Sequence, residues 1–276
     1  MPTLLKTLRW LLACLALGYL LLCADVYRKQ DALLFPALAL DQQRAAQLEL
    51  DQPGSGYALK TGDGITLRGW LDVPASTRPR PLLLYFGGNK DEVSNWMLMR
   101  HQAPDWAWAS LNYRGYGASE GKPSQTALVA DAQAVFDALA ADPRIDPKRI
   151  VVIGRSLGSG VAVQLAAKRP LKALILVTPY DSMLSVAAEK YPYLPIRWML
   201  RHPFDSIALA PSLHLPTQIL LAENDQLIPP AHGASLAAAW GSPVQPLLLA
   251  GASHNNILLH PQFWLDVRGF LQRLGS

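Results

Sequence analysis

The sequence predicts one α/β domain on a mostly parallel sheet, preceded by an apolar membrane segment. Three observations predict it. From Leu82 onward, short apolar strand-like runs alternate with longer helical runs, the pattern of parallel strands joined by crossover helices. Half of the 276 residues are hydrophobic, enough to bury such a sheet on both faces. An uncharged stretch from Trp10 to Ala24 stands apart at the N-terminus.

That first stretch, within Leu8 to Tyr27, reads as an uncleaved signal anchor over residues 1–30. A span needs about 20 residues. The uncharged core is shorter, but Trp10, Tyr19 and Tyr27 suit the headgroup level and Arg9 can snorkel. A cleaved signal is the rival reading, and large Leu20, Leu21 and Leu22 spoil the small-residue cleavage pattern before Asp25. Lys6 and Arg9 precede the segment, and Arg28 and Lys29 follow. With the amino terminus added, this balance leans toward an exported domain on a single-pass membrane protein.

Residues 31–56 read as an amphipathic or irregular connector ending in turn-rich Gln52 to Gly56. The domain proper is expected over residues 57–276. It opens with "YALKT" and "ITLRGWLDV" around "GDG", an antiparallel hairpin. "LLLYF", "WAWASLNY", "RIVVIG", "KALILVT", "TQILLA" and "QPLLLA" follow as strands. Helices are expected over Asp91 to Gln102, Ser124 to Ala141 with Ser124 as N-cap, Ser156 to Lys168, Ala231 to Trp240 and Asn256 to Leu274. An aromatic, proline-rich stretch after Pro179 breaks the rhythm and reads as a cap insertion at about 179–213. There Tyr191, Tyr193, Trp198 and Met199 could roof an acyl pocket or pack on the core. In the same stretch Asp181 and Asp205 read as helix caps, with a contact to substrate or base as the other reading.

A net charge of +4 with 21 acidic residues is a balanced surface, unlike that of a nucleic-acid binder. Both cysteines, Cys14 and Cys23, lie in the anchor. The domain therefore has no disulfide framework, thiol nucleophile or thiolate metal site.

The chemistry centres on Gly154-Arg155-Ser156-Leu157-Gly158 between a strand and a helix. A sharp turn there needs small residues around the serine, and lifts its hydroxyl to the sheet edge at a helix N-terminus. Gly154 and Gly158 supply them. A serine hydroxyl needs a base, usually a histidine oriented by a carboxylate. Among six histidines, His254 alone follows the last strand and precedes the last helix. The other five read as surface or packing residues. After "TQILLA", Asp225 is the expected carboxylate and Glu223 the alternative. The order Ser156, Asp225, His254 is that of strand-end triads on such sheets. Two N–H donors for an oxyanion are expected at Leu157 and at Gly88-Asn89, where Asn89 is the favoured donor; each donor is worth roughly 10²–10³ in rate.

With these residues the chain resembles the α/β-hydrolase superfamily, and more narrowly the Bem46-like group, related to the mammalian α/β-hydrolase domain-containing proteins 13 and 17. The motifs are "YFGGNKDEVSNW", "NYRGYGASEGKPS", "DPKRIVVIGRSLGSGVA", "AENDQLIPP" and "GASHNNI", spread over nearly the whole chain. The resemblance implies an α/β-hydrolase fold, a Ser156–Asp225–His254 triad and an oxyanion hole at Leu157 and Asn89. Many relatives have histidine-glycine where this chain has Gly87-Gly88, and a backbone donor does not need that histidine. The expected activity is hydrolysis of a carboxylic ester or thioester in a small or lipid-like acyl substrate, with no metal or organic cofactor. A peptidase, an acyltransferase or a catalytically silent membrane-tethered binding protein stay open as alternatives.

Overall fold

The computed structural model describes residues 2–275. Helix α1 spans Pro2–Leu34 and is long and apolar enough to cross a membrane. It runs past the expected connector boundary because the chain offers no breaker before Pro36. Helix α2, Gln42–Asp51, then forms where an amphipathic or irregular connector was expected. Asp41 caps it by accepting from Arg44 N–H.

Strands β1 (Gly56–Lys60), β2 (Thr66–Asp72), β3 (Arg80–Phe86), β4 (Ala107–Leu111), β5 (Ile145–Arg155), β6 (Ala173–Val177), β7 (Thr217–Ala222) and β8 (Leu247–Leu249) form one sheet. Its order is β1-β2-β4-β3-β5-β6-β7-β8. β1 and β2 pair as the antiparallel hairpin, β2 pairs antiparallel with β4, and the other pairings are parallel.

The central strands carry unbroken apolar runs, residues 82–86 on β3 and 150–153 on β5, because both faces are covered. On β3, Leu82, Leu84 and Phe86 join one core, while Leu83 and Tyr85 join the other. β5 alternates likewise, with Ile150 and Val152 against Val151 and Ile153. Helices α4 (Gln125–Ala140), α5 (Leu157–Ala166) and α8 (Pro230–Ala238) cover the first face, through Leu128, Val161 and Leu236. Helices α3 (Ser94–Met97) and α9 (Pro261–Gly275) cover the second, where Tyr85, Trp108 and Trp264 gather around Trp96.

Two helices are shorter than the sequence predicts. Of Asp91 to Gln102, only α3 and a 3₁₀ turn at Arg100–Gln102 are helical. The acidic residues at its start are spent elsewhere: Asp91 accepts from Gly88 N–H and Glu92 accepts from the Asn112 amide. The last helix begins at Pro261, after a separate 3₁₀ turn at Ile257–Leu259. Proline suits the first helical position, where no intrahelical N–H bond is lost. Between β6 and β7, helices α6 (Met183–Lys190) and α7 (Ile196–Met199) lie over the C-terminal strand ends.

Candidate active site

Three strand ends deliver the polar groups. β5 ends at Arg155 and α5 begins at Leu157, leaving Ser156 in the turn at φ +52°, ψ −119°. A non-glycine residue at positive φ is strained and persists only where its surroundings impose it. Here the flanks are imposed sterically. A Cβ on Gly158 would stand 2.1 Å from the Phe86 carbonyl oxygen, and one on Gly154 would stand 2.5 Å from the Gly158 carbonyl oxygen. Only glycine lets α5 start this close to β3.

The loop after β7 carries Asp225, and the loop after β8 carries His254. Ser156 Oγ lies 3.0 Å from His254 Nε2, and His254 Nδ1 lies 2.7 Å from Asp225 Oδ2. Asp225 Oδ1 accepts from the N–H groups of Leu227 and Ile228 at 2.9 and 2.8 Å, which fixes the carboxylate. All three residues are buried. Glu223 points elsewhere and accepts from Gly251 N–H. A hydroxyl bonded to an imidazole that is itself oriented by a carboxylate is equipped to attack an electrophilic carbon.

Asn89 and Leu157 line the same cavity as Ser156. Among the described residues the Asn89 N–H has no protein partner, whereas the expected third donor is engaged: Gly88 N–H donates to Asp91 Oδ2 at 2.7 Å. Gly88 therefore shapes the turn and does not offer its N–H to a ligand. Tyrosines hold this loop from behind. Tyr113 donates to the Gly87 carbonyl, Tyr116 to the Asn89 carbonyl and Tyr85 to Asp91. Burial pushes the Tyr85 and Tyr113 hydroxyls well above the ordinary tyrosine range, so they remain donors.

Sequence reasoning missed Arg155 and Asp91. Arg155 Nη1 lies 3.0 and 2.9 Å from the two Asp91 oxygens, and Nη2 donates to the His254 carbonyl at 2.9 Å. One guanidinium thus ties the serine turn, the oxyanion loop and the histidine loop together. Burial works to raise the Asp91 pKa, but the Arg155 charge and the bonds from Gly88, Tyr85 and Arg155 outweigh it, and the net shift is downward. The only sequence signal was an arginine beside a predicted buried turn, a position that needs a partner.

Asp181 and Asp205 do not reach His254. Asp181 pairs with His232 Nδ1 at 2.9 Å, and His232 Nε2 pairs with Glu189 at 3.0 Å. Asp205 accepts from Ala208 N–H at 3.3 Å, a local turn contact. His232 was expected on the surface or in packing; it is buried and ties α8 to α6.

Comparison with known proteins gives the family. A family model described as Serine hydrolase matches residues 104–265. An uncharacterized protein of Mycobacterium tuberculosis is 35% identical over 222 residues, 79% of this chain and 79% of its own. The alpha/beta hydrolase domain-containing protein WAV2 of Arabidopsis thaliana is 33% identical, over 65% of this chain and 64% of that protein. Alpha/beta hydrolase domain-containing protein 17B of Homo sapiens is 32% identical, over 59% and 56%. Among solved structures, the 2,6-dihydroxy-pseudo-oxynicotine hydrolase superposes at TM-score 0.68 and 21% identity, over 83% of this chain and 70% of that one. An esterase of Pyrococcus furiosus superposes at TM-score 0.68 and 16% identity, over 86% and 98%. At these identities the structural likeness is one of fold. The family match over more than half of the chain, the M. tuberculosis relative and the shared sheet lead to one conclusion: this chain belongs to the serine hydrolase family and is a hydrolytic enzyme, a Bem46-like α/β-hydrolase.

Proposed function

We propose that this hydrolase is a membrane-anchored serine enzyme that cleaves carboxylic esters or thioesters through an acyl-enzyme on Ser156. Helix α1 is the anchor, residues 57–276 the catalytic domain, and about 179–213 its cap. The observation that carries the reading is the continuous chain from Ser156 Oγ through His254 to Asp225, at 3.0 and 2.7 Å.

The steps follow from those contacts. Asp225 accepts the Nδ1–H of His254, which leaves Nε2 free to take the Ser156 proton. Ser156 Oγ attacks the acyl carbonyl, and the negative oxygen is held by the N–H groups of Leu157 and Asn89. The intermediate collapses, the C–O or C–S bond breaks, and His254 protonates the leaving alcohol or thiol. Water then attacks the acyl-enzyme, gives its proton to His254, and releases the acid as Ser156 is re-protonated.

The test is labelling of full-length, detergent-solubilised protein with a fluorophosphonate, beside Ser156→Ala and heat-denatured controls. Folded wild type should label and Ser156→Ala should not, with ester turnover lower by roughly 10⁶. Failure of folded wild type to label, or equal labelling of the variant, overturns the reading. Chain-length and leaving-group screens of esters and thioesters then assign the bond.

A further inference from the structure

Helix α1 is bound to the cap along one face. Gln30 Nε2 donates to the Met199 carbonyl at 3.1 Å, and Gln30 Oε1 accepts from Arg201 N–H at 2.8 Å. Asp31 pairs with Arg201 at 3.1 Å and with His202 at 3.0 Å. The Arg201 guanidinium lies over the Tyr27 ring, 5.1 Å from its centre. Eleven residues earlier than Gln30, the Tyr19 hydroxyl donates to the Tyr193 carbonyl at 2.9 Å. The cap therefore descends beside the helix as far as Tyr19, inside the uncharged run from Trp10 to Ala24. Its Tyr193 and Trp198 are left 63% and 86% exposed, the side chains that favour a membrane interface.

The same helix lines one side of the cavity above Ser156. That cavity measures about 200 Å³ and has three sides. Ser156 and Leu157 form the base, Met183, Val186 and Ile196 the cap side, and Val26, Leu33 and Leu34 the outer side. By the rise of an α-helix, Val26 to Leu34 covers about 12 Å along α1. Both ends of that wall line the nucleophile's cavity, and Val26 is two residues from the end of the apolar run.

We propose that α1 is the outer wall of the acyl site, and that the substrate is a bilayer-resident amphiphilic acyl ester whose chain enters along α1 directly from the apolar layer. This rests on the serine-hydrolase reading above and goes beyond it: the anchor is part of the site as well as its tether. An aqueous substrate has no use for a cavity whose wall continues into a transmembrane segment. Apart from Gln30, Lys190 and the Tyr191 hydroxyl, the lining beyond Ser156 and Asn89 is apolar, so a lipid acyl chain exchanges one apolar surrounding for another.

The experiment uses the full chain in phosphatidylcholine vesicles. p-Nitrophenyl palmitate is carried in the vesicles, and p-nitrophenyl acetate is added from water. Val26→Trp narrows the cavity from the anchor side, Leu33→Ala widens it, and Leu15→Trp alters an exposed position far from it. Val26→Trp should lower the palmitate-to-acetate rate ratio by about tenfold or more. Leu33→Ala should raise that ratio, and Leu15→Trp should leave it unchanged. Fluorophosphonate labelling of each variant reports an assembled serine site. Labelled Val26→Trp and Leu33→Ala proteins with the wild-type ratio overturn the wall proposal and leave the hydrolase reading intact. Should Val26→Trp fail to fold, Leu33→Ala decides alone. Folded wild type that does not label overturns the hydrolase reading, and this inference with it.

Discussion

Ser156 sits at φ +52° between two glycines whose hydrogens are the largest substituents the site admits. Gly158→Ala is therefore expected to push α5 away from Phe86 and the oxyanion loop. A cost of about 1–3 kcal/mol is expected from the overpacking, together with loss of fluorophosphonate labelling. Thermal unfolding in detergent and labelling at one temperature separate the two effects. Arg155 and Asp91 give the second prediction at this scale. Asp91→Asn removes the charge opposite a nearly buried guanidinium and should cost about 2 kcal/mol, with a fall in kcat. The sign of the pH effect follows from the lowered Asp91 pKa. A carboxylate with a depressed native pKa stabilises fully above its unfolded value near 3.8 and loses that share as pH falls through the lower native value. Asp91→Asn should therefore flatten the acid limb of stability against pH, and leave the slope above about pH 5 unchanged. An unaltered acid limb would remove Arg155–Asp91 as its source.

At the scale of elements, Ser124 accepts from Ala127 N–H at 3.2 Å and caps α4, whose apolar face packs on α5 and the sheet. Ser124→Ala should lower stability by about 1 kcal/mol and leave fluorophosphonate labelling untouched, read by thermal unfolding and labelling rates. This helix was legible from sequence because its start and its period both lie within the segment itself. The strands were legible for the same reason, as unbroken apolar runs such as Leu82 to Phe86. The failures are elements whose ends depend on distant partners. The expected helix from Asp91 shortens because Glu92 binds Asn112, 20 residues on, and Asp91 binds Arg155 as well as the nearby Gly88. Arg155 and Asp91 are 64 residues apart, and His232 meets Glu189 across 43. No local pattern encodes such pairs. The positions of Ser156, Asp225 and His254 were legible because a parallel sheet sends every β-to-α loop to one edge. The Gly88 N–H could not be assigned from sequence, since its engagement requires the fold of Asp91 back onto the turn.

Across the whole molecule, two cores flank one sheet, and the second depends on the last helix. Phe263 on α9 is fully buried against Trp264 and the second face. Phe263→Ala should cost about 3–5 kcal/mol and lower the midpoint of thermal unfolding, while a labelled fraction persists below that midpoint. The bonds from Tyr27, Gln30 and Asp31 of α1 to Met199, Arg201 and His202 set a further property of the molecule. A domain on a slack tether would tumble and sample the water above the bilayer. This one is bolted to its helix at several points, so on the proposed membrane reading its orientation relative to the bilayer normal follows the tilt of α1. On the proposed membrane reading, it searches for substrate in two dimensions. Its rate then follows the mole fraction of ester in the leaflet, not moles per litre. Adding inert phospholipid at constant total ester should slow the enzyme in proportion to the dilution.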